Sequence, residues 1–191
     1  MKNIIDFCES KKGLGLLLNN NEKHNLNNYQ DDKKDIFIIE GIRGGCKTYI
    51  GACIVLYEVY KLIKKGNVIK YYGFPRGEQI SLGFKVINNT EKEKLFSLIR
   101  SMVEKSRFFK KYYRNNNTVG SFSFKDKKGN IIRIIISSYD EGGACGQSCL
   151  CIILDDFEDS TKHNEVFKAF YPCISVFGRD GRVIKIKSSN S

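Results

Sequence analysis

Residues 41–48, Gly41-Ile42-Arg43-Gly44-Gly45-Cys46-Lys47-Thr48, follow the pattern G-x4-G-K-[ST], with Cys46 standing where the second glycine belongs. That pattern means something only between a strand and a helix. Here Ile36-Phe37-Ile38-Ile39 precedes it, and Ile50, Cys53, Ile54, Tyr57 and Lys61 follow at helical spacing. In that setting the backbone N–H groups and the helix N-terminus cradle triphosphate oxygens. Lys47 would reach the β- and γ-phosphates and stay exposed until nucleotide arrives, and the Thr48 hydroxyl would ligate Mg²⁺. Cys46 brings a Cβ toward the phosphates, which its backbone tolerates if φ stays negative. Its sulfur, at a helix N-terminus beside Lys47, is expected to be thiolate-prone and to alkylate faster than Cys53 or Cys151. The competing reading of the segment is a glycine-rich turn that merely begins a helix.

A second cluster supports the first. Cys151-Ile152-Ile153-Leu154 is a continuous apolar run that ends on Asp155 and Asp156. Such a run reads as a buried parallel strand, and the carboxyl ends of such strands are where α/β sheets place ligands. Asp155 would hold Mg²⁺, and Asp156 would orient or activate the attacking water. Scattered acids such as Asp140, Glu141, Glu158 and Asp159 are expected to be solvated loop residues.

The rest of the chain must position these two clusters. Leu14, Leu16, Leu17 and Leu18 belong to a possible docking helix, and residues 19–28 are Asn-dense and read as a loop. A helix after Lys47 should stop before Gly66. Residues 68–72 and 80–87 read as strands around a turn at Pro75-Arg76-Gly77. Thr90 and Glu93 match a capping box ahead of the helical face Leu95, Leu98, Ile99, Met102 and Val103. Strands at 119–125 and 131–136 flank Asp126-Lys127-Lys128-Gly129-Asn130, a hairpin signature. A helix near 161–170 and a strand at 182–187 complete the pattern. Strands alternating with helices predict an α/β fold with a largely parallel central sheet plus a β-hairpin. The expected division is 1–28, an N-terminal helix and Asn-rich loop, and 29–191, the phosphate-binding domain. The chain stops four residues after a strand, as a truncated protein would.

Composition narrows the partners. Lys+Arg number 32 against 21 Asp+Glu, a net charge of +11, which favours polyanions such as nucleic acid. No apolar run approaches the ~18 residues that span a bilayer, no signal peptide is visible, and reduced thiols in an intracellular protein are expected for its 7 cysteines. Cys145-x3-Cys149-x-Cys151 lacks the spacing of a standard zinc finger.

Together these motifs resemble the ATPase domain of the large terminase subunit, the DNA-packaging motor of tailed bacterial viruses. That family carries an arginine four residues before the loop lysine, as Arg43 precedes Lys47, and a strand ending in two acids and an aromatic residue, as in Leu154-Asp155-Asp156-Phe157. The stretch from Phe84 through Thr90 to Phe109, the glycine-containing loop from Gly142 to Ser148, and the strand Gly181-Arg182-Val183-Ile184-Lys185-Ile186-Lys187-Ser188-Ser189-Asn190 are similar to the corresponding parts of that family. The resemblance covers residues 30 to 191. It implies an ASCE-type P-loop NTPase that hydrolyses ATP with Mg²⁺ to drive double-stranded DNA into a capsid. The implied setting is a homo-oligomeric ring with portal, procapsid and small-subunit partners, soluble in the cytoplasm of an infected host cell.

By that resemblance Gly41 to Thr48 bind nucleotide, Arg43 acts on the γ-phosphate, and Ser188 and Ser189 form the motif that couples hydrolysis to movement. Tyr29-Gln30 resembles an adenine-contacting pair. Asp156 replaces the usual glutamate. Lys185 and Lys187 sit oddly in a strand expected to be buried on both faces, and the nuclease domain of the family is missing. The alternatives are a helicase-like or other nucleic-acid-dependent P-loop ATPase, and a degenerate nucleotide-binding module without turnover, which Cys46 and Asp156 favour.

Overall fold

The computed structural model describes residues 3–32, 34–42, 46–114, 120–141, 148–158 and 160–189, without the side chains of 41, 42 and 189. Six helices, α1 (Ile4–Glu9), α2 (Asn20–Asp31), α3 (Lys47–Lys65), α4 (Val68–Tyr72), α5 (Asn89–Lys105) and α6 (Thr161–Ser175), accompany seven strands among these residues. The strands are β1 (Ile36–Ile42), β2 (Ile80–Val86), β3 (Tyr113–Arg114), β4 (Ser121–Lys125), β5 (Ile131–Ser138), β6 (Ser148–Leu154) and β7 (Arg182–Ser189). They form one sheet in the order β1-β7-β6-β2-β5-β4-β3. The first five in that order are parallel neighbours, and β4 and β3 add an antiparallel margin. The expected α/β architecture with a hairpin is therefore what the chain adopts.

Apolar alternation decides the layers. Phe84, Ile134, Ile184 and Ile186 join the core on the face that carries α3 and α5, with α1 and α2 packed outside α3. The opposite face buries Ile152, Leu154 and Val183 beneath Phe170 and Ile174 of α6. Helix α3 lies close on the sheet because Gly51 has no side chain: a Cβ there would sit 2.9 Å from Phe84 Cζ and 3.0 Å from Ile186 Cδ1. With 14 buried residues, α3 is the central helix, and its first residue is Lys47.

Several local expectations are corrected. Residues 19–28 are not a loop but mostly helix α2, started by a capping box between Asn19 and Glu22 and held by buried Leu26 and Tyr29; the expected boundary at 28 and 29 falls inside it. Residues 68–72 are helix α4 rather than a strand. The Asn67 side chain caps the Lys70 N–H, Asp126 accepts the Val68 N–H at 2.9 Å, and Gly73 closes the turn in the left-handed region. Helix α5 is capped by Asn88, which accepts from the Glu91 N–H, and not by Thr90 with Glu93. Helix α6 continues through Pro172 to Ser175.

Strand β7 lies one place in from the sheet margin, between β1 and β6. Its half-buried lysines rest on aromatic faces: Lys185 Nζ is 4.2 Å from the Phe157 ring and 4.3 Å from Phe167, and Lys187 Nζ is 5.9 Å from Phe157. That is how a strand near the edge accommodates two cations.

Candidate active site

The two acids after β6 are placed by main-chain bonds to both flanking strands. The Asp155 N–H donates to Lys85 O at 2.9 Å on β2, and the Phe157 N–H donates to Ile186 O at 2.7 Å on β7. From the far side the Tyr139 hydroxyl donates to Asp155 O at 3.0 Å. Between them Asp156 takes φ 47. A non-glycine residue seldom adopts that left-handed conformation, though aspartate tolerates it better than most. The turn aims its carboxylate at β7.

Register then brings the loop strand and β7 together, with Gly41 opposite Ser188 and Ile42 opposite Ser189. Two contacts close the site. The Thr48 hydroxyl donates to Asp155 Oδ2 at 2.7 Å across 107 positions of sequence. Lys47 Nζ donates to Ser188 Oγ at 3.1 Å, and that same hydroxyl donates to Asp156 Oδ1 at 2.7 Å. Ser188 is thus the middle of a polar chain with the lysine cation on one side and the carboxylate on the other. Charge-assisted hydrogen bonds of this kind are the stronger class.

Burial sets the electrostatics. Asp155 is 7% exposed, and desolvation pushes its carboxyl up to about 6, partly opposed by the Thr48 hydrogen bond and raised further by neighbouring Asp156. Lys47 is only 8% exposed, which corrects the expectation of an exposed lysine: the end of β7 already holds it.

Cys46 is exposed and caps α3 with φ −69, an unstrained value, so this position does not demand glycine here. The expected thiolate is corrected as well. The Glu22 carboxylate beside the thiol raises its pKa through a hydrogen bond, with desolvation and the carboxylate's charge adding to it. Arg43, Gly44 and Gly45 lie outside the described residues, as does Cys145. Gly41, Ile42 and Ser189 are placed by backbone only, at the ends of β1 and β7. Cys149 and Cys151 are buried, and among the described residues no group of three or more His, Cys, Asp or Glu could hold a metal.

Tyr29 is a core residue rather than an adenine contact. It is 2% exposed and its hydroxyl donates to buried Glu58 at 2.5 Å. The Gln30 side chain accepts the Ile4 N–H at 2.7 Å, in the first turn of α1.

Residues beyond the motifs support the acids. Lys85 is 1% exposed in β2, and its Nζ donates to Ser138 O at 3.0 Å and Glu141 O at 2.9 Å. Glu141 is a paired residue, its carboxylate 2.6 Å from Lys92 Nζ. Tyr139 is stacked on His163 of α6 with ring centroids 4.0 Å apart. These contacts tie the ends of β2, β5 and α6 to Asp155.

Comparison with known proteins places this geometry. The model of the family described as "Uncharacterized protein MJ0330, N-terminal P-loop domain" matches residues 3–188, and the chain belongs to that family. The fold is that of large terminase ATPase domains. The crystal structure of the HK97 bacteriophage large terminase superposes with a TM-score of 0.62 at 16% identity, over 99% of this chain and 37% of that one. An arginine-to-alanine mutant of the Thermus phage P74-26 large terminase ATPase domain gives 0.63 at 16% identity, over 93% of this chain and 68% of that one. The chain therefore spans well under half of the HK97 protein. Among curated protein sequences none matches. No helix among the described residues is long and apolar enough to cross a membrane.

Proposed function

We propose that this P-loop domain hydrolyses ATP with Mg²⁺ and uses the turnover to move along double-stranded DNA, as the motor domain of a viral packaging machine. The observation that carries the reading is the closed polar circuit of Thr48 with Asp155 and of Lys47 with Asp156 through Ser188. The donor set fits Mg²⁺: a hydroxyl and a carboxylate oxygen 2.7 Å apart, hard ligands of the kind that ion takes, on a carboxylate whose burial disfavours its charge until a cation compensates it. Mg²⁺ bound there supplies charge neutralisation for the phosphates.

The protein's own groups do the rest. Lys47 would exchange Ser188 for phosphate, Thr48 and Asp155 would hold the metal, and Asp156 would orient the attacking water. Arg43, four residues before Lys47, is assigned to the γ-phosphate. Because Ser188 bonds both Lys47 and Asp156, occupancy of the phosphate site is felt by β7, which gives Ser188 and Ser189 their coupling role. Portal, procapsid and small-subunit partners and a ring of copies belong to this reading.

The test is phosphate release with and without duplex DNA. Hydrolysis stimulated by duplex supports the motor, and hydrolysis indifferent to any nucleic acid removes translocation from the account. A second reading, nucleotide binding without turnover, is favoured by Asp156, whose carboxylate is one methylene shorter than glutamate and already engaged by Ser188. Mg·ATP binding with no phosphate release under either condition would establish it.

A further inference from the structure

Part of the chain's basic surplus, a net charge of +11, lies away from the nucleotide site. Helix α3 starts at the site with Lys47 and runs 19 residues to Lys65, about 28 Å at 1.5 Å per residue. Strand β5 runs parallel to β2, so the turn that precedes it lies at the same far end. Three segments meet there. The loop after α1 joins the end of α5 through the Phe108 N–H to Lys12 O bond at 3.1 Å. The 3-10 turn Phe109–Lys111 leads into Tyr112, whose carbonyl accepts the Lys125 N–H at 2.9 Å. The β4–β5 turn reaches the C-cap of α3, where a Cβ on Gly66 would lie 3.9 Å from Lys127 Cδ.

This corner carries exposed Lys12, Arg107, Lys110, Lys111, Lys127 and Lys128. None of the six is in an ion pair among the described residues. The acids nearby are occupied. Asp126 is buried and accepts from the N–H groups of Val68, Lys128 and Asn130, Glu104 pairs with Arg100, and Glu9 pairs with Lys23. A dense set of unpaired cations without compensating acids is the footprint of a polyanion. The corner's aromatic rings are turned inward: Phe109 is buried, and half-buried Phe108 packs on Tyr112 with centroids 5.0 Å apart. The exposed ring beside the corner, Tyr71 of α4, is already engaged by Lys65, whose Nζ lies 3.4 Å from its centroid, so the corner offers no free platform of the kind on which single-strand binders stack bases. The chemistry is that of backbone phosphates on an intact duplex.

We propose that this basic corner, at the pole opposite the nucleotide site, is the surface that grips the phosphate backbone of double-stranded DNA. The inference rests on the motor reading above and adds the face that it uses. Movements of β7 and α3 at the phosphate site would then be delivered along the length of α3 to the DNA contact.

The experiment is anisotropy titration of labelled duplexes of two unrelated sequences across a salt series. Lys110→Glu/Lys111→Glu and Lys127→Glu/Lys128→Glu are compared with Lys94→Glu/Lys168→Glu, an equal charge change elsewhere, after thermal melting confirms that each variant folds. Each phosphate contact contributes about 0.9 to the log–log salt slope. Each corner variant should therefore lower the slope by about 1.8, equally for both sequences, with DNA-free ATPase unchanged, while the control keeps the wild-type slope. Duplex binding that the corner and control variants weaken equally would overturn this assignment and leave the motor reading standing. No duplex binding by the unsubstituted chain would overturn both. Tighter binding to a single strand of the same length, or to phosphatidylserine vesicles with the same residue dependence, would also overturn it.

Discussion

Removing the Ser188 hydroxyl should separate chemistry from binding. In Ser188→Ala, Lys47 Nζ loses an acceptor at 3.1 Å and Asp156 Oδ1 loses a donor at 2.7 Å. Hydrogen bonds to charged groups contribute about 1.5–3 kcal/mol each, and this site is only part-buried, so the lower end applies. Lys47 has phosphate to bind in the nucleotide complex, so ATP affinity should change less than about threefold. Asp156 has no such replacement, and its left-handed backbone leaves the carboxylate free to swing away. Losing roughly 1.5 kcal/mol of that positioning corresponds to about a 10-fold fall in kcat. The assay is single-turnover phosphate release alongside titration with a fluorescent ATP analogue, and Ser188→Thr, which keeps the hydroxyl, should recover most of the loss. An unchanged kcat in Ser188→Ala, or equal losses in affinity and kcat, would refute the reasoning.

Other outcomes follow from the same geometry. The Asp155 carboxyl, pushed up to about 6, keeps its proton to higher pH when folded than when unfolded, so its contribution to apo stability is present at pH 4 and lost as pH rises through 6. Mg²⁺ should accordingly raise Tm more at pH 7.5 than at pH 5 and do so at neither pH in Asp155→Asn; equal shifts at both pH values would contradict the assignment. Glu22→Gln, which can keep the capping box, should speed alkylation of Cys46 at pH 8, and bound Mg·ATP should protect that thiol; peptide mapping after a short pulse reads both. Tyr139→Phe, which leaves Asp155 O without its donor, should cost roughly 1 kcal/mol in stability and slow turnover severalfold, with melting and phosphate release as the checks.

Much of this site could be read from residue order because its parts are local. A strand, a glycine cluster and a lysine at a helix start occupy twelve consecutive residues, Ile36 to Lys47, and an apolar run ending on two acids is equally compact. What escaped is what depends on distant neighbours. Residues 68–72 have the β-branched and aromatic content of a strand, and they are helical because Asn67 and Asp126 supply caps, the second from 58 positions away. The Asn-rich segment looked like a loop because Asn favours turns, yet buried Leu26 and Tyr29 dock it as α2. Glu22 beside Cys46 raises the thiol pKa rather than lowering it, and no local pattern links residues so far apart. Tyr139 and Lys85 carried no motif, and a lysine inside an apolar strand, Phe84-Lys85-Val86, was the one visible signal of a buried polar role.

The central claim is that Asp155 and Asp156 divide the work of metal holding and water orientation. Asp156→Asn is the most direct test, measured as Mg·ATP binding together with single-turnover hydrolysis. The account predicts near-normal binding and a loss of at least about 10²-fold in the chemical step. Hydrolysis at the unsubstituted rate in that variant would contradict it.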